Sequence, residues 1–315
     1  MGSDRIASLA SMTKGQLLRR EIRKNLPIYA FVLPGVAFII LFRYYPLYFL
    51  QVAFRDYRPT RALALSPWQG FRYFEQLFST PGFWRAIRNT FIISVYRLAA
   101  GFPVPIILAL LLNEVRSAGF KRTTQTIIYL PHFISWVVIA RILMNLTSIQ
   151  GGLFNVIREL LGKEPRMYLA DESLFRSILV LTGIWKEAGW GTIIYLAAIS
   201  GISPELYESA YIDGANRVQN VIYITLPAIG EVVVLLLILS VGSLIDAGFE
   251  QILVMQNAYV MEISDVLSTF VYRTGLLNAR YSYASAAGLF TSIISTTLVF
   301  GANAVAKRFG KRGLV

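Results

Sequence analysis

Ionisable side chains inside otherwise apolar stretches are the groups with chemistry to offer. Trp185, Lys186, Glu187 and Trp190 interrupt the apolar run 177–200. A charge at membrane depth is costly and usually faces a bundle interior or a wet cavity. Neighbouring residues on a helix point about 100° apart, so Lys186 and Glu187 are poor partners for each other, and each needs one elsewhere. Asp246 and Glu250, one turn apart on a single helical face, are the expected partners. Two readings stand side by side. One is a polar path for a hydroxylated substrate, with indole faces stacking on its rings. The other is interhelical ion pairing that fixes packing.

Arg97 and Arg141 also fall within apolar runs. A guanidinium grips a carboxylate through two parallel hydrogen bonds, which would suit an acidic ligand; a structural pair or a snorkelling side chain is the other reading. His132, the single histidine, follows Pro131 and is expected to be a packed residue hydrogen-bonded to backbone that the proline loosens, rather than a proton relay. There is no cysteine, so disulfides, Cys-ligated zinc and iron–sulfur clusters are excluded, and one histidine makes neither a His-based metal site nor a triad. No catalytic set and no metal site are visible. A phosphate-cradling G-x-x-x-x-G-K-[ST] loop is missing too: Gly162-Lys163 is followed by Glu164, and Gly310-Lys311 by Arg312.

A second constellation is polar and lies between two apolar runs. It reads Ser203-Pro-Glu-Leu-Tyr-Glu-Ser-Ala-Tyr-Ile-Asp-Gly-Ala-Asn-Arg217, with Ile224-Thr-Leu-Pro227 following. Ser203 is a good N-cap, and Pro204 suits the first helical position, where its missing N–H costs nothing. Glu205 sets a negative charge at the positive end of the helix dipole. Gly214 is able to take the left-handed conformation that ends a helix. The spacing predicts a short helix over 204–213, displayed at a membrane face by the apolar runs around it.

The elements that position these groups follow from composition. Of 315 residues, 55% are hydrophobic and 15% charged, which suits a polytopic helical membrane protein. Net charge is +12, and the basic residues cluster beside apolar runs, which points to topology and anionic lipid rather than nucleic acid. Six runs near the ~20 residues that a bilayer requires are expected at 26–50, 89–112, 123–146, 177–200, 226–248 and 282–306. Pro103 and Pro105 predict a kink in the second, and Pro131 a break in the third. Segment 1–25 carries Arg5, Lys14, Arg19, Arg20, Arg23 and Lys24, and the tail 307–315 carries Lys307, Arg308, Lys311 and Arg312. Both ends are therefore expected in the cytoplasm, with 54–85, 147–176 and 249–281 on the opposite side. An uncleaved signal-anchor opens the chain in this reading.

Glu208-Ser209-Ala210, then Asp213-Gly214, then Ile224-x-Leu-Pro227, resembles the EAA loop of ABC importer permeases, whose pattern is E-A-A, three residues, G, nine residues and I-x-L-P. Gly214 stands four after Ala210 and Ile224 ten after Gly214, so the spacing is kept; Ser209 replaces the usual Ala and is equally small. Tyr129-Leu-Pro-His-Phe-Ile-Ser-Trp136, Ile184-Trp-Lys-Glu-Ala-Gly-Trp190 and Ala247-Gly-Phe-Glu-Gln251 resemble the LplB-type permeases of oligosaccharide importers, a group that includes the alginate importer, over about residues 28–310.

The resemblance implies an all-α, six-span permease domain over 26–306, of the type I ABC importer kind. A cytoplasmic coupling helix would lie in the loop 201–225 and dock into a cleft on an ATPase subunit. Glu205, Glu208, Ser209, Ala210, Asp213, Gly214 and Pro227 would carry that coupling. Trp136, Trp185, Lys186, Glu187, Trp190, Asp246 and Glu250 would border the translocation path. It also implies a heterodimer with a second permease subunit, two ATPase subunits that hold ATP and Mg, a solute-binding protein, and a bacterial inner-membrane location with membrane lipid around the spans. No cofactor would be bound by this chain, and no enzyme activity would be its own. The substrate would be an oligosaccharide, acidic alginate fragments being one form. The competing class is a stand-alone ion-coupled secondary transporter or channel, for which Lys186, Glu187 and Asp246 would serve the ion.

Overall fold

Prolines and glycines cut the apolar runs into helices of unequal length. The computed structural model describes Gly15 and residues 23–308. Arg5, Lys14, Arg19, Arg20, Lys311 and Arg312, on which the reading of the two ends rests, lie outside the described residues. Among the described residues there is no β-strand, only an isolated antiparallel bridge between Arg55 and Trp68.

The chain forms two compact units, 1–52 and 53–315. In the first, α1 (Leu26–Ile39) buries no residue, and it continues through a wide turn (Ile40–Tyr44) into a tighter one beginning at Tyr45.

In the second unit, α2 (Arg72–Phe78) precedes α3 (Pro81–Glu114), which is interrupted only at Phe102, before Pro103 and Pro105. Next come α4 (Ala118–Phe133) and α5 (Trp136–Leu146), which meet at 98°. The break falls where Pro131 withholds an N–H and Ser135 restarts the helix, its hydroxyl accepting from the Val138 N–H. A short helix, α6 (Leu153–Leu160), leads to the 29-residue α7 (Glu172–Ser200). Asp171 caps α7 by accepting from the Ser173 N–H at 2.9 Å. Hydrogen bonds from the Ser173 hydroxyl and then Arg166 hold the Asp171 carboxyl below the usual carboxylate range. Then follow α8 (Pro204–Ile212) and α9 (Arg217–Ala228), and α9 bends by 61° into α10 (Gly230–Gly242). Three short helices, α11 (Phe249–Met255), α12 (Met261–Ser264) and α13 (Leu267–Tyr272), precede α14 (Tyr281–Arg308).

Among the described residues, three helices are long and apolar enough to cross a bilayer, or up to five if each bent pair is one span. α7 is long enough, but Lys186 and Glu187 stand in its middle.

Segment 249–281 does not behave as a surface loop. Ile252, Met255, Val260 and Val266 are buried with Ile93, Phe175 and Leu179 in one apolar cluster, and Leu267 and Phe270 with Phe83 and Tyr283 in another. A polar network ties it down as well. The Asn89 amide donates to the carbonyls of Glu262 (2.8 Å) and Asp265 (3.1 Å), while Arg176 donates to the Asn89 side chain (3.0 Å) and to the Ile263 carbonyl. Asp265 is fully buried and holds Arg273 through two hydrogen bonds, 2.9 and 2.5 Å. Removing one partner of such a pair strands a buried charge. Arg273→Met is therefore expected to cost about 3–5 kcal/mol of stability. Thermal unfolding of the purified protein in detergent checks this; an unchanged midpoint would show that the pair holds nothing.

Candidate functional site

A cavity of about 530 Å³ opens where α3, α5, α7, α10 and the turn before α11 converge. It is large enough for a small ligand. Most of its wall is apolar, and its charged lining residues are Arg97, Glu187 and Asp246. Trp136, Trp190 and Tyr195 supply aromatic faces, and Ser94, Ser240 and Ser243 supply hydroxyls.

Arg97 sits in a socket built by backbone shape. Its guanidinium donates to the Ala247 carbonyl (2.6 Å) and to the side-chain oxygen of Gln251 (2.5 Å). Gln251 is fully buried and donates in turn to the Leu179 carbonyl and the Thr182 hydroxyl. The Ser94 hydroxyl, one turn before Arg97, donates to the Leu244 carbonyl. Gly248 makes the socket possible: its φ is +80°, and a Cβ there would fall 1.5 Å from an Arg97 nitrogen. Arg97 is thus a cavity-wall residue hydrogen-bonded to backbone and amide, under the charges of Asp246 and Glu187. Arg141 is exposed instead and is not part of the cavity lining.

Lys186 and Glu187 part company. Lys186 is only 7% exposed, and its ammonium donates to the carbonyls of His132 and of Ile134 (2.8 Å). Pro131 O lies at 3.5 Å and the Trp136 ring centroid at 5.6 Å. These carbonyls are the ones freed by the 98° bend between α4 and α5, so the ammonium replaces the missing next turn. Glu187, half-exposed toward the cavity, lies 2.9 Å from His132 Nδ1 and 3.9 Å from Lys186 Nζ. The His132 ring stacks flat on Trp190, with centroids 4.5 Å apart. His132 therefore packs against Trp190 and Glu187, and Lys186 makes the bonds to loosened backbone that were expected of His132.

Several expected pairings are corrected. Asp246 and Glu250 partner neither Lys186 nor Glu187. They also do not share a helical face, because a left-handed pair, Ala247 (φ 49°) and Gly248 (φ 80°), separates the turn ending at Asp246 from α11. Of the expected path residues, the structure brings Trp136, Glu187, Trp190 and Asp246 to the cavity. Lys186 lies behind its wall, and Trp185 and Glu250 are exposed and not among the lining residues. Sequence reasoning missed Ser94, Tyr195 and the Gln251 anchor. For Gln251 a signal existed, a polar residue three positions after the Ala247-Gly248 pair, but its partner Arg97 is 154 positions away.

The second constellation forms a separate element at the C-terminal end of α7. In α8, Pro204 is the first residue and Ser203 the N-cap, although the Ser203 side chain makes no capping bond. The helix closes with two bonds, Gly214 N–H to Tyr211 O (3.1 Å) and Ala215 N–H to Ala210 O (2.9 Å), around Gly214 at φ +80°. This pairing needs a left-handed residue at Gly214. Glu205, Glu208, Ser209 and Asp213 are exposed, and Tyr211 and Ile212 are more than three-quarters exposed. Tyr207 reaches Thr225 of α9 at 2.9 Å and fixes the two helices together. Pro227 lies in the last turn of α9, just after a wide turn over Val221–Thr225 that its missing N–H favours. Among the described residues, no group of three or more His, Cys, Asp or Glu side chains could hold a metal ion.

This all-helical architecture, a mostly apolar cavity carrying a few charged and aromatic groups with an exposed capped helix further along the chain, is that of a multi-pass membrane transport subunit. The chain belongs to the family described as binding-protein-dependent transport system inner membrane component, whose model matches residues 101–312. It is 42% identical over 306 residues, 95% of each chain, to the polygalacturonan/rhamnogalacturonan transport system permease protein YteP of Bacillus subtilis (strain 168). It is 40% identical over 310 residues, 98% of each chain, to protein LplB of the same organism. Among solved structures, a chain of the bacterial alginate ABC transporter in complex with an alginate pentasaccharide-bound periplasmic protein superposes with a TM-score of 0.86 at 40% identity, covering 94% of this chain and 99% of that one. The chain is accordingly a permease subunit of an ABC importer, and the stand-alone ion-coupled transporter falls away.

Proposed function

We propose that this chain forms half of the translocation pathway of an ATP-driven oligosaccharide importer. The observation that carries this is the cavity, in which indole faces at Trp136 and Trp190 stand beside the hydrogen-bonding groups of Glu187, Asp246 and Arg97. Aromatic planes suit the C–H faces of sugar rings, and carboxylates accept from their hydroxyls. YteP, named for polygalacturonan and rhamnogalacturonan, and the alginate transporter support a carbohydrate whose units carry carboxylates, with Arg97 the cation on the wall. Trp185, Lys186 and Glu250 are then set around the path rather than on it.

In this reading the spans number six, α7 being the fourth, and both termini are cytoplasmic. A second, non-identical permease completes the cavity. Two ATPase subunits bind ATP and Mg and receive α8 through Glu205, Glu208, Ser209, Ala210, Asp213 and Gly214, with Pro227 setting the turn back into the membrane. A solute-binding protein delivers substrate on the other face. This chain hydrolyses nothing itself. ATP shifts the complex between inward and outward states only through differential affinity for them.

The test is ATP hydrolysis by the complex reconstituted in vesicles with its binding protein. Oligogalacturonate or alginate fragments are expected to raise the rate, and neutral oligosaccharides of equal length to leave it near basal. Stimulation by neutral sugars alone would remove the acidic substrate. No response to any oligosaccharide would remove the carbohydrate reading.

A further inference from the structure

Helix α6 is inside out for a helix in water. An amphipathic helix normally turns its apolar stripe inward and its polar face to solvent. Here the residue facing inward is Asn155, which is 0% exposed, and the residues facing outward are Leu153, Phe154, Val156, Ile157 and Leu160, with Leu161 just beyond. At 100° per residue these six fall within an arc of about 160°, while Asn155, Arg158 and Glu159 take the opposite side. Leu160 is 82% exposed.

The position of α6 is fixed by Asn155. Its amide donates to the carbonyls of Thr147 (3.2 Å) and Ser148 (2.9 Å), the residues that end α5, and to Arg166 O (3.1 Å); its side-chain oxygen accepts from the Arg166 N–H at 2.8 Å. Both ends of the Asn155 amide are thereby used, and the helix is stapled to the end of a membrane-crossing pair. α5 itself presents Val137, Val138 and Ile142 outward, so the span to which Asn155 ties α6 exposes apolar surface as well. α6 also precedes the start of α7, about 43 Å along that helix from the end where α8 begins.

We infer that α6 lies in the membrane–water interface on the side opposite α8, with its aliphatic stripe in the acyl chains and Asn155 pinning it to α5. A lipid surface fits better than a protein partner. The stripe holds no Trp, Tyr or Arg, the anchors on which protein interfaces concentrate their energy. Two of the three basic groups of the loop are engaged elsewhere, Arg158 with Glu164 O and Arg166 with Asp171, which leaves the exposed Lys163. Binding is therefore driven by apolar burial rather than by anionic headgroups.

The chain has no cysteine, so single substitutions report one position each. Ile157→Cys, Leu160→Cys and Glu159→Cys, labelled with a small fluorophore, are placed in the full importer with cysteine-free partner subunits, in phosphatidylcholine vesicles. Acyl chains brominated near the headgroup are expected to quench positions 157 and 160 to about half and iodide to do little, with the reverse at 159, as an apolar face sunk ~5–10 Å requires. Strong iodide quenching at 157 and 160 would place the stripe in water and overturn the proposal. Protection of both from iodide and bromolipid alike would mean a protein covers them, and would overturn it too. Unchanged substrate-stimulated ATP hydrolysis in each labelled complex shows that the fold and assembly are intact.

Discussion

Replacing Lys186 with Met is expected to abolish most of the folded permease, while Glu187→Gln, one residue further, leaves folding nearly untouched and changes transport. The difference lies in what each side chain holds. The Lys186 ammonium satisfies the carbonyls of His132 and Ile134 at the bend between α4 and α5, in a place only 7% exposed. Met is similar in length but donates nothing. Each stranded carbonyl costs about 1–3 kcal/mol, so the loss is roughly 2–6 kcal/mol. That is a large share of the ~5–15 kcal/mol by which a domain is stable. Trp136, which sits over the ammonium and faces the cavity, would lose its orientation with it. Glu187 is half in solvent, and Gln keeps a hydrogen bond to His132 within reach. Yield of monodisperse complex and its unfolding midpoint measure the first effect, and substrate-stimulated ATP hydrolysis the second. Equal midpoints for Lys186→Met and the parent would show that the bend does not depend on the ammonium.

These two residues also show what the sequence could and could not reveal. The features that follow from local backbone chemistry were legible: the break after Pro131, the helix opened by Pro204, and the left-handed closure at Gly214. That charges within an apolar run need partners was legible too. Which partners they find was not. Asp246 and Glu250 looked suitable only while the helix was assumed to run on through them, and Ala247 and Gly248 break it with positive φ. The real partners of Lys186 are backbone carbonyls more than fifty positions away, and no side-chain pattern marks a carbonyl as free. The socket of Arg97 is hidden for the same reason, since it is assembled from α3, α7, α11 and the turn before it. Sequence alone places segment 249–281 outside the spans and does not reveal that its apolar residues fill two clusters. On α6, exposure of the stripe became visible only once Asn155 was seen to face inward.

The other large effect is expected at α8. Gly214→Pro and Ala210→Trp should leave the permease inserted in the membrane while lowering substrate-stimulated ATP hydrolysis about tenfold or more, the scale of losing one interface anchor. The Gly214 φ of +80° cannot be reached by proline, which is fixed near −65°, and the N–H that bonds Tyr211 O would be gone. The closure around Ala210 O would open, and Tyr211 and Ile212, the most exposed apolar residues of the helix, would change direction. Ala210 acts differently. Its backbone helps close the helix, but a Trp there would add bulk on the side that, in the role proposed for α8, approaches the ATPase closely. Neither position touches the cavity lining, so substrate contacts stay as they are. Stability is spared as well, because no residue of α8 is buried in this chain. The measurement is retention of the ATPase subunits during purification, followed by hydrolysis with and without loaded binding protein. Loss of retention in Ala210→Trp with retained binding but lost stimulation in Gly214→Pro would divide docking from transmission. Parental retention and stimulation in both variants would show that force reaches the permease by another surface, and the role proposed for Glu205, Glu208 and Asp213 would fall with it.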